Sequence, residues 1–238
     1  MNAAVLLAGG TGTRAGSDIP KQYIKLSDHM MLTRSAAVLL ESGHTDCMYI
    51  VAEDRWRDPI IKDIKEAGLP AEKIRGFADP GKNRQLSIKN ALVMIVSDMD
   101  GKPGEDDTVF IHDAARPFLS EELVNSCYKA LSGHDGVMPV LPVKDTVYLS
   151  SDGKRIDSLL DRSKVYSGQA PELFLLKKYH HANVSLPEEK ILKINGSAEC
   201  AVMDGMDVVM IPGDEKNFKV TTEEDMKKCR MIMEKGFA

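Results

Sequence analysis

The sequence predicts an α/β protein built on a doubly wound, mostly parallel sheet, and three observations carry that prediction. Short continuous apolar runs at 3–8, 48–52 and 109–111 are bounded by turn residues, the pattern of strands covered on both faces. Stretches with apolar residues at helical spacing lie between them, at 32–40, 60–67 and 86–96. The resulting β-α-β-α-β-α-β order predicts right-handed crossovers and places ligands outside the carboxyl ends of the strands.

Taken in chain order, the run at 3–8 closes on Leu7-Ala8-Gly9-Gly10-Thr11-Gly12-Thr13-Arg14, followed by Pro20-Lys21-Gln22. Glycines let backbone N–H groups approach anionic oxygens, and a helix N-terminus or an N–H nest beyond them favours negative charge. Arg14 and Lys21 add two cations to that loop, so it reads as a triphosphate cradle. The helix at 86–96 carries Leu86, Ala91, Leu92 and Ile95 along one stripe. It is entered through Gly81-Lys82-Asn83-Arg84-Gln85-Leu86-Ser87, a polar loop whose amides and Ser87 can meet a base or ribose, or simply cap the helix. The run at 109–111 continues into His112-Asp113-Ala114-Ala115-Arg116-Pro117-Phe118, which puts Asp113 at the carboxyl end of a strand.

The second half breaks this rhythm. Residues 136–143 read as another buried strand, but 144–162 alternate polar and apolar residues around Ser151-Asp152-Gly153, the pattern of a protruding β-hairpin arm. Val147, Leu149, Ile156 and Leu159 would leave hydrocarbon on an arm too small to bury it, and a two-stranded hairpin is marginal alone. Docking on a second copy of the chain answers that; folding back on its own domain is the alternative. A late strand is expected at 206–211, then a strand-like run, Asn217-Phe218-Lys219-Val220-Thr221, interrupted by its lysine. Thr221-Thr222-Glu223-Glu224 resembles a capping box that opens the last helix. We expect one domain over 1–238, with the arm at 144–162 inside it.

Composition narrows the function classes. The chain has 238 residues, 43% hydrophobic and 28% charged, enough for one sizeable core. A formal net charge of −5 argues against non-specific nucleic-acid binding, which needs a basic face. No apolar stretch reaches the roughly 20 residues of a membrane span. Cys47, Cys127, Cys200 and Cys229 are scattered, with no C-x-x-C pair and no signal peptide, which points to a reducing compartment and so to the cytoplasm.

Two nucleotide-site templates can be tested by spacing. Gly10-x-Gly12-x-x-Ala15 satisfies the relaxed dinucleotide fingerprint. The acid that pattern requires about 20 residues on would fall in the helix at 32–40, because the second strand ends near Glu53. A P-loop fails as well, since no Gly-Lys-Ser/Thr follows the glycines. A nucleotide loop with its own cations remains. Mg²⁺ takes one or two carboxylates and completes its shell with phosphate oxygens, which suits Asp113, whose alternative role is to cap the next turn. Lys219 invites an anion or stands exposed at an edge. His112 reads as a packed, hydrogen-bonded histidine and His180-His181 as an exposed helical pair.

In this order the motifs resemble the 2-C-methyl-D-erythritol 4-phosphate cytidylyltransferases and their relatives, the D-ribitol 5-phosphate cytidylyltransferases. The likeness rests on Ala8-Gly9-Gly10-Thr11-Gly12-Thr13-Arg14, Pro20-Lys21-Gln22, His112-Asp113-Ala114-Ala115-Arg116-Pro117-Phe118, Lys144-Asp145-Thr146 and Phe218-Lys219-Val220-Thr221, and covers nearly the whole chain. It implies a Rossmann-like nucleotidyltransferase fold, CTP and a polyol phosphate as substrates, Mg²⁺ or another divalent cation, and a homodimer with interlocking arms. The lead acceptor is 2-C-methyl-D-erythritol 4-phosphate, of the isoprenoid precursor pathway. The alternative is D-ribitol 5-phosphate, or another pentitol or sugar phosphate destined for a surface glycan.

Carried over residue by residue, the resemblance implies that Arg14, Lys21 and Lys219 are catalytic, holding the phosphates and the charge of the transition state. Ala8, Gly9, Gly10, Thr11, Gly12, Thr13, Arg84 and Ser87 would bind CTP, Asp113 the metal, and Arg116, Thr146 and Arg162 the acceptor. The chain departs from the family pattern in its acceptor half. Gly168-Gln169-Ala170-Pro171-Glu172 stands where Thr-Pro-Gln is usual, and Ile194-Asn195-Gly196-Ser197-Ala198 lacks the usual Thr-Asp pair. Two other classes compete. An NAD(P)-binding oxidoreductase is opposed by the misplaced acid and by Lys21; a non-catalytic nucleotide-binding protein is opposed by the joint presence of Arg14, Lys21, Asp113 and Lys219.

Overall fold

A computed structural model describes residues 1–10 and 19–235. β1 (Asn2–Leu7) has a parallel neighbour on each edge, and Ala3, Ala4, Val5 and Leu6 are fully buried, which is why this strand is apolar on both faces. A small hairpin, β2 (Lys25–Leu26) and β3 (His29–Met30), leads into α1 (Met31–Glu41). The alternation then runs through β4 (Cys47–Val51), α2 (Asp54–Glu66), β5 (Ile74–Ala78), α3 (Arg84–Asp98), β6 (Thr108–Asp113) and α4 (Glu121–Ala130). After β7 (Gly136–Pro142) come the arm strands β8 (Tyr148–Leu149) and β9 (Ser158–Leu159), then β10 (Tyr166–Gly168) and β11 (Glu172–Leu175). The chain closes with α5 (Leu176–Ser185), α6 (Glu188–Ile191), α7 (Ser197–Met203), β12 (Val208–Pro212) and α8 (Glu223–Lys235).

The main sheet has the order β10-β7-β11-β6-β1-β4-β5, with β12 also paired to β7. Strands β6, β1, β4 and β5 are mutually parallel, and their carboxyl ends form one edge. β11 is inserted antiparallel between β6 and β7, so its first residue, Glu172, arrives beside Ile111 near the carboxyl end of β6. Side chains alternate between the two faces of the sheet. Ala4 and Leu6 pack with Leu32, Leu39, Ile60 and Val124 of α1, α2 and α4. Ala3 and Val5 pack with Ile88, Leu92, Tyr179 and Ala201 of α3, α5 and α7. This double burial is the predicted doubly wound architecture.

Several local expectations are corrected. α2 begins at Asp54, ahead of the apolar stripe that announces it. Residues 217–221 form no strand: their backbone is tied down by single bonds, such as Val220 N–H to Ala115 O at 2.8 Å, instead of a ladder. The box that opens α8 sits one residue later than expected. Thr222 N–H donates to Asp225 Oδ2 at 2.9 Å and Asp225 N–H to Thr222 Oγ1 at 3.1 Å, so the reciprocal pair is Thr222 with Asp225. The arm is the expected hairpin: Tyr148 and Leu149 lie opposite Leu159 and Ser158, and Asp157 N–H donates to Leu149 O and Leu160 N–H to Val147 O, each at 2.9 Å. Among the described residues no helix is long and apolar enough to cross a membrane, and all four cysteines are free and buried.

Candidate active site

A cleft of about 620 Å³ opens at the carboxyl ends of β1, β5 and β6. Its first wall is the start of the glycine segment. Gln22 Nε2 donates to Ala8 O and Gly10 O, each at 2.6 Å, and Tyr23 OH donates to Ala8 O at 2.8 Å. The ring of Tyr23 stacks on Trp56 at 4.0 Å. The Pro20-Lys21-Gln22 motif therefore does two things at once: Gln22 pins the glycine segment, and Lys21, one residue before it on a short 3₁₀ turn, lines the cleft. A Cβ on Gly9 would lie 2.6 Å from Pro80 Cβ, so only glycine lets this wall meet the next one.

The second wall is the loop at 81–83 and the first turn of α3. Gly81 lies so close to that turn that a Cβ would approach Ser87 N at 2.8 Å. Gly81 N–H donates to Ser87 Oγ at 2.9 Å, Ser87 Oγ donates to Asn83 O at 3.0 Å, and Asn83 Oδ1 caps the helix by accepting from Leu86 N–H at 2.8 Å. Ser87 thus spends its hydroxyl on shaping the loop, and the capping alternative holds for Asn83. Lys82, Asn83, Arg84 and Ser87 all line the cleft.

The floor is Asp113, the last residue of β6, opposite Leu7 of β1. Lys219 Nζ donates to Asp113 Oδ2 at 2.8 Å and Arg84 Nε to Asp113 Oδ1 at 3.0 Å, while Arg116 Nε lies 3.8 Å from Oδ2. Burial alone would raise the Asp113 carboxyl, but the charges of Arg84, Lys219 and Arg116 outweigh it and hold the group well below the usual carboxylate range. Burial also works against the Arg84 cation, yet Asp113 and Glu172 raise its pKa above the ordinary guanidinium value. Burial lowers that of Arg116. His112 is fully buried, its Nε2–H meets Arg116 O at 3.1 Å, and burial pushes its pKa down to about 4.

Lys219 is delivered by a loop that other side chains hold in place. Gln169 bonds both ways with Asp214, Nε2 to Asp214 O and Asp214 N–H to Oε1, each at 3.0 Å. Asn217 Nδ2 donates to Ala170 O at 2.8 Å, and Arg116 Nη1 donates to Asn217 O at 2.7 Å. Arg116 therefore sits under the floor as a brace and is not among the cleft-lining residues.

Of the residues singled out from sequence, the fold gathers Gly9, Gly10, Lys21, Arg84, Ser87, Asp113 and Lys219 around one cleft, with Ala8 buried behind it. Thr11, Gly12, Thr13 and Arg14 lie outside the described residues. Thr146 and Arg162 stand exposed on the arm, away from the cleft lining, and Arg162 Nη1 donates to Lys144 O at 2.7 Å. The sequence names Lys82 and Asn83 only within their loop and gives no sign of the clasp made by Gln22 or of the meeting of buried Glu172 and Ser197 with Arg84. A carboxylate opening the apolar run Leu173-Phe174-Leu175 was the available signal for Glu172.

Among the described residues no group of three or more His, Cys, Asp or Glu could hold a metal ion by itself. A firmly ionised carboxylate on a cleft whose cations can hold phosphates does suit Mg²⁺, which draws most of its ligands from phosphate and water.

The profile of one family, 2-C-methyl-D-erythritol 4-phosphate cytidylyltransferase (IspD), matches residues 2–235. The chain belongs to this family. A 2-C-methyl-D-erythritol 4-phosphate cytidylyltransferase of Rubrobacter xylanophilus is 33% identical over 233 residues, 97% of this chain and 94% of that protein. A ribitol-5-phosphate cytidylyltransferase of Streptococcus pneumoniae is 30% identical over 234 residues, 98% of each chain. The solved IspD structure from Francisella tularensis superposes with a TM-score of 0.79 at 23% identity, covering 97% of this chain and 98% of that one. The predicted nucleotidyltransferase fold is thus shown, and the IspD membership makes this chain a cytidylyltransferase.

Proposed function

We propose that this IspD-family protein transfers CMP from CTP to a polyol phosphate, with 2-C-methyl-D-erythritol 4-phosphate as the acceptor and pyrophosphate as the second product. The observation that carries the reading is the ionised Asp113 at the strand edge, with Arg84 and Lys219 bonded to it and Lys21 on the same cleft. An acceptor phosphate oxygen is already an anionic nucleophile, so attack on the α-phosphorus needs position and charge and no Ser-His-Asp machinery. Lys21, Lys219 and Arg14 would hold the triphosphate and the charge that develops as pyrophosphate leaves. Asp113 would hold Mg²⁺, which when bound neutralises phosphate oxygens as a Lewis acid. The second reading, ribitol 5-phosphate as acceptor, is favoured by the full-length 30% identity to the pneumococcal enzyme.

The same proposal includes a homodimer formed through the arm at 144–162, which would bring Thr146 and Arg162 to the acceptor end of the partner's cleft, and a cytoplasmic location. Support comes from the exposed arm residues Tyr148, Leu149, Ile156 and Leu159 and from the free cysteines. The test is to supply CTP and Mg²⁺ with methylerythritol 4-phosphate, ribitol 5-phosphate or other polyol phosphates and to follow pyrophosphate. Release with the first acceptor and not the others is expected. Release with ribitol 5-phosphate alone replaces the acceptor, and no release with any of them overturns the reading.

A further inference from the structure

Arg84 has three acceptors, and only one of them faces the cleft. Its Nε donates to Asp113 Oδ1 at 3.0 Å, its Nη2 to Glu172 Oε2 at 3.0 Å, and its Nη1 to Ser197 Oγ. Ser197 Oγ donates in turn to the same Glu172 oxygen at 2.7 Å. Glu172 is 4% exposed and Ser197 is fully buried, and neither lines the cleft. We propose that Glu172, with Ser197, is a positioning residue that keeps Arg84 in place when Asp113 gives up its bond to Arg84 for an incoming divalent cation. The proposal rests on the cytidylyl-transfer reading above.

Each Asp113 oxygen already accepts from a cation, so a divalent ion held by that carboxylate would compete with Arg84 and Lys219 for its charge. A guanidinium that loses a charged acceptor in a partly buried wall is left in an unfavourable state. Glu172 and Ser197 remove that penalty, because Arg84 keeps a charged acceptor and a hydroxyl after it releases Asp113. Glu172 also offsets part of the positive charge of Arg84, Arg116 and Lys219. A triphosphate without metal is therefore attracted less than those cations alone would attract it. Removing the Glu172 charge has opposite consequences for the two ligands: the metal binds less well, and metal-free CTP binds better. A residue that merely tied β11 to α3 and α7 would weaken both alike.

The experiment is calorimetric titration of CTP into the full-length protein, in EDTA and across a Mg²⁺ series. Wild type, Glu172→Gln and Ser197→Ala are compared, with melting temperatures recorded for each. Glu172→Gln keeps the shape and the acceptor for Ser197 while removing the charge. We expect its half-saturating Mg²⁺ concentration to rise roughly tenfold, the scale of one charge-assisted hydrogen bond, with CTP affinity in EDTA equal or higher. Ser197→Ala leaves every charge in place and shifts in the same direction by less. Equal Mg²⁺ dependence in all three proteins, or CTP affinity lowered equally with and without metal, overturns the proposal and leaves the cytidylyl-transfer reading standing. A wild type that binds no CTP overturns both. Should Glu172→Gln fail to fold, Ser197→Ala decides by the same two measurements.

Discussion

Asp113 and the hydrocarbon of the arm depart from the usual partition of a folded chain in opposite directions. Asp113 is 6% exposed, yet it is ionised among Arg84, Lys219 and Arg116. Ile156 and Leu159 are apolar, yet 67% and 64% exposed. Buried charge is tolerated when its partners are supplied from within the chain, as they are at the cleft. An apolar stripe on a two-residue ladder has no such internal remedy. The buried carboxylate is thus paired within one copy of the chain, whereas the hydrocarbon of the arm is left exposed there. Changes in the cleft should act on chemistry and on unimolecular stability, and changes in the arm on association.

The comparison breaks most visibly at Asp113. Asp113→Ala leaves Arg84 sharing only Glu172 and Ser197 and leaves Lys219 beside Arg116, so urea unfolding should show a loss of about 3–5 kcal/mol. Next come the cleft lysines: Lys21→Ala and Lys219→Ala should lower pyrophosphate release by about 10²–10³ while circular dichroism stays as in wild type. Release at the wild-type rate from either variant would remove that lysine from the machinery.

His112 supplies a pH-dependent version of the same test. Its pKa is about 4 in the folded protein, below the ordinary 6.5, so the unfolded chain takes up the proton first. The stability it contributes is present above about pH 6.5 and is lost as pH falls toward 4, by about 3 kcal/mol at most. The depressed Asp113 acts in the same direction but only below the ordinary carboxylate range, so the two windows separate. His112→Gln should flatten the dependence of unfolding free energy on pH between 6.5 and 4, and an unchanged slope would assign it to other groups.

For the arm, Ile156→Ser with Leu159→Ser should raise the dissociation constant of the proposed dimer about tenfold or more, read by sedimentation, with the melting of the isolated subunit unchanged. If instead the arm folds back on its own domain, the subunit melts earlier and the sedimentation is unaltered. The smallest expected effect is Thr222→Ala, which removes the α8 cap and about 1 kcal/mol of stability, with neither activity nor association altered.

The legible parts of the molecule are those whose signal is local. β1, β4 and β6 announce themselves as apolar runs because both their faces are covered, and Asp113 and the glycine segment follow from lying at strand ends. Glu172 and Ser197 were named without a role, because their meeting with Arg84 depends on β11 running antiparallel between β6 and β7, which no periodicity specifies. The sequence is ambiguous by one residue at the α8 cap for a simpler reason. Thr221 with Glu224 and Thr222 with Asp225 offer the same spacing, and the choice falls to Asp225, which also accepts from Thr221 N–H and Oγ1 at 2.8 Å. Lys219 looked like part of a strand because its neighbours are apolar, whereas Val220 is buried against Met226 and Cys229 of α8.

The antiparallel insertion of β11 has a consequence for how this protein tolerates changes in chain length. Leu173 faces one core and Phe174 the other, so a one-residue insertion or deletion at 169–171 would exchange two large apolar side chains and leave both cores filled with hydrocarbon. Glu172 has no such equivalent. Turned to the other face, it would lose Arg84 and Ser197 together and lie as an unpaired carboxylate against an apolar core, so a slip that the apolar residues would tolerate is opposed by this one side chain.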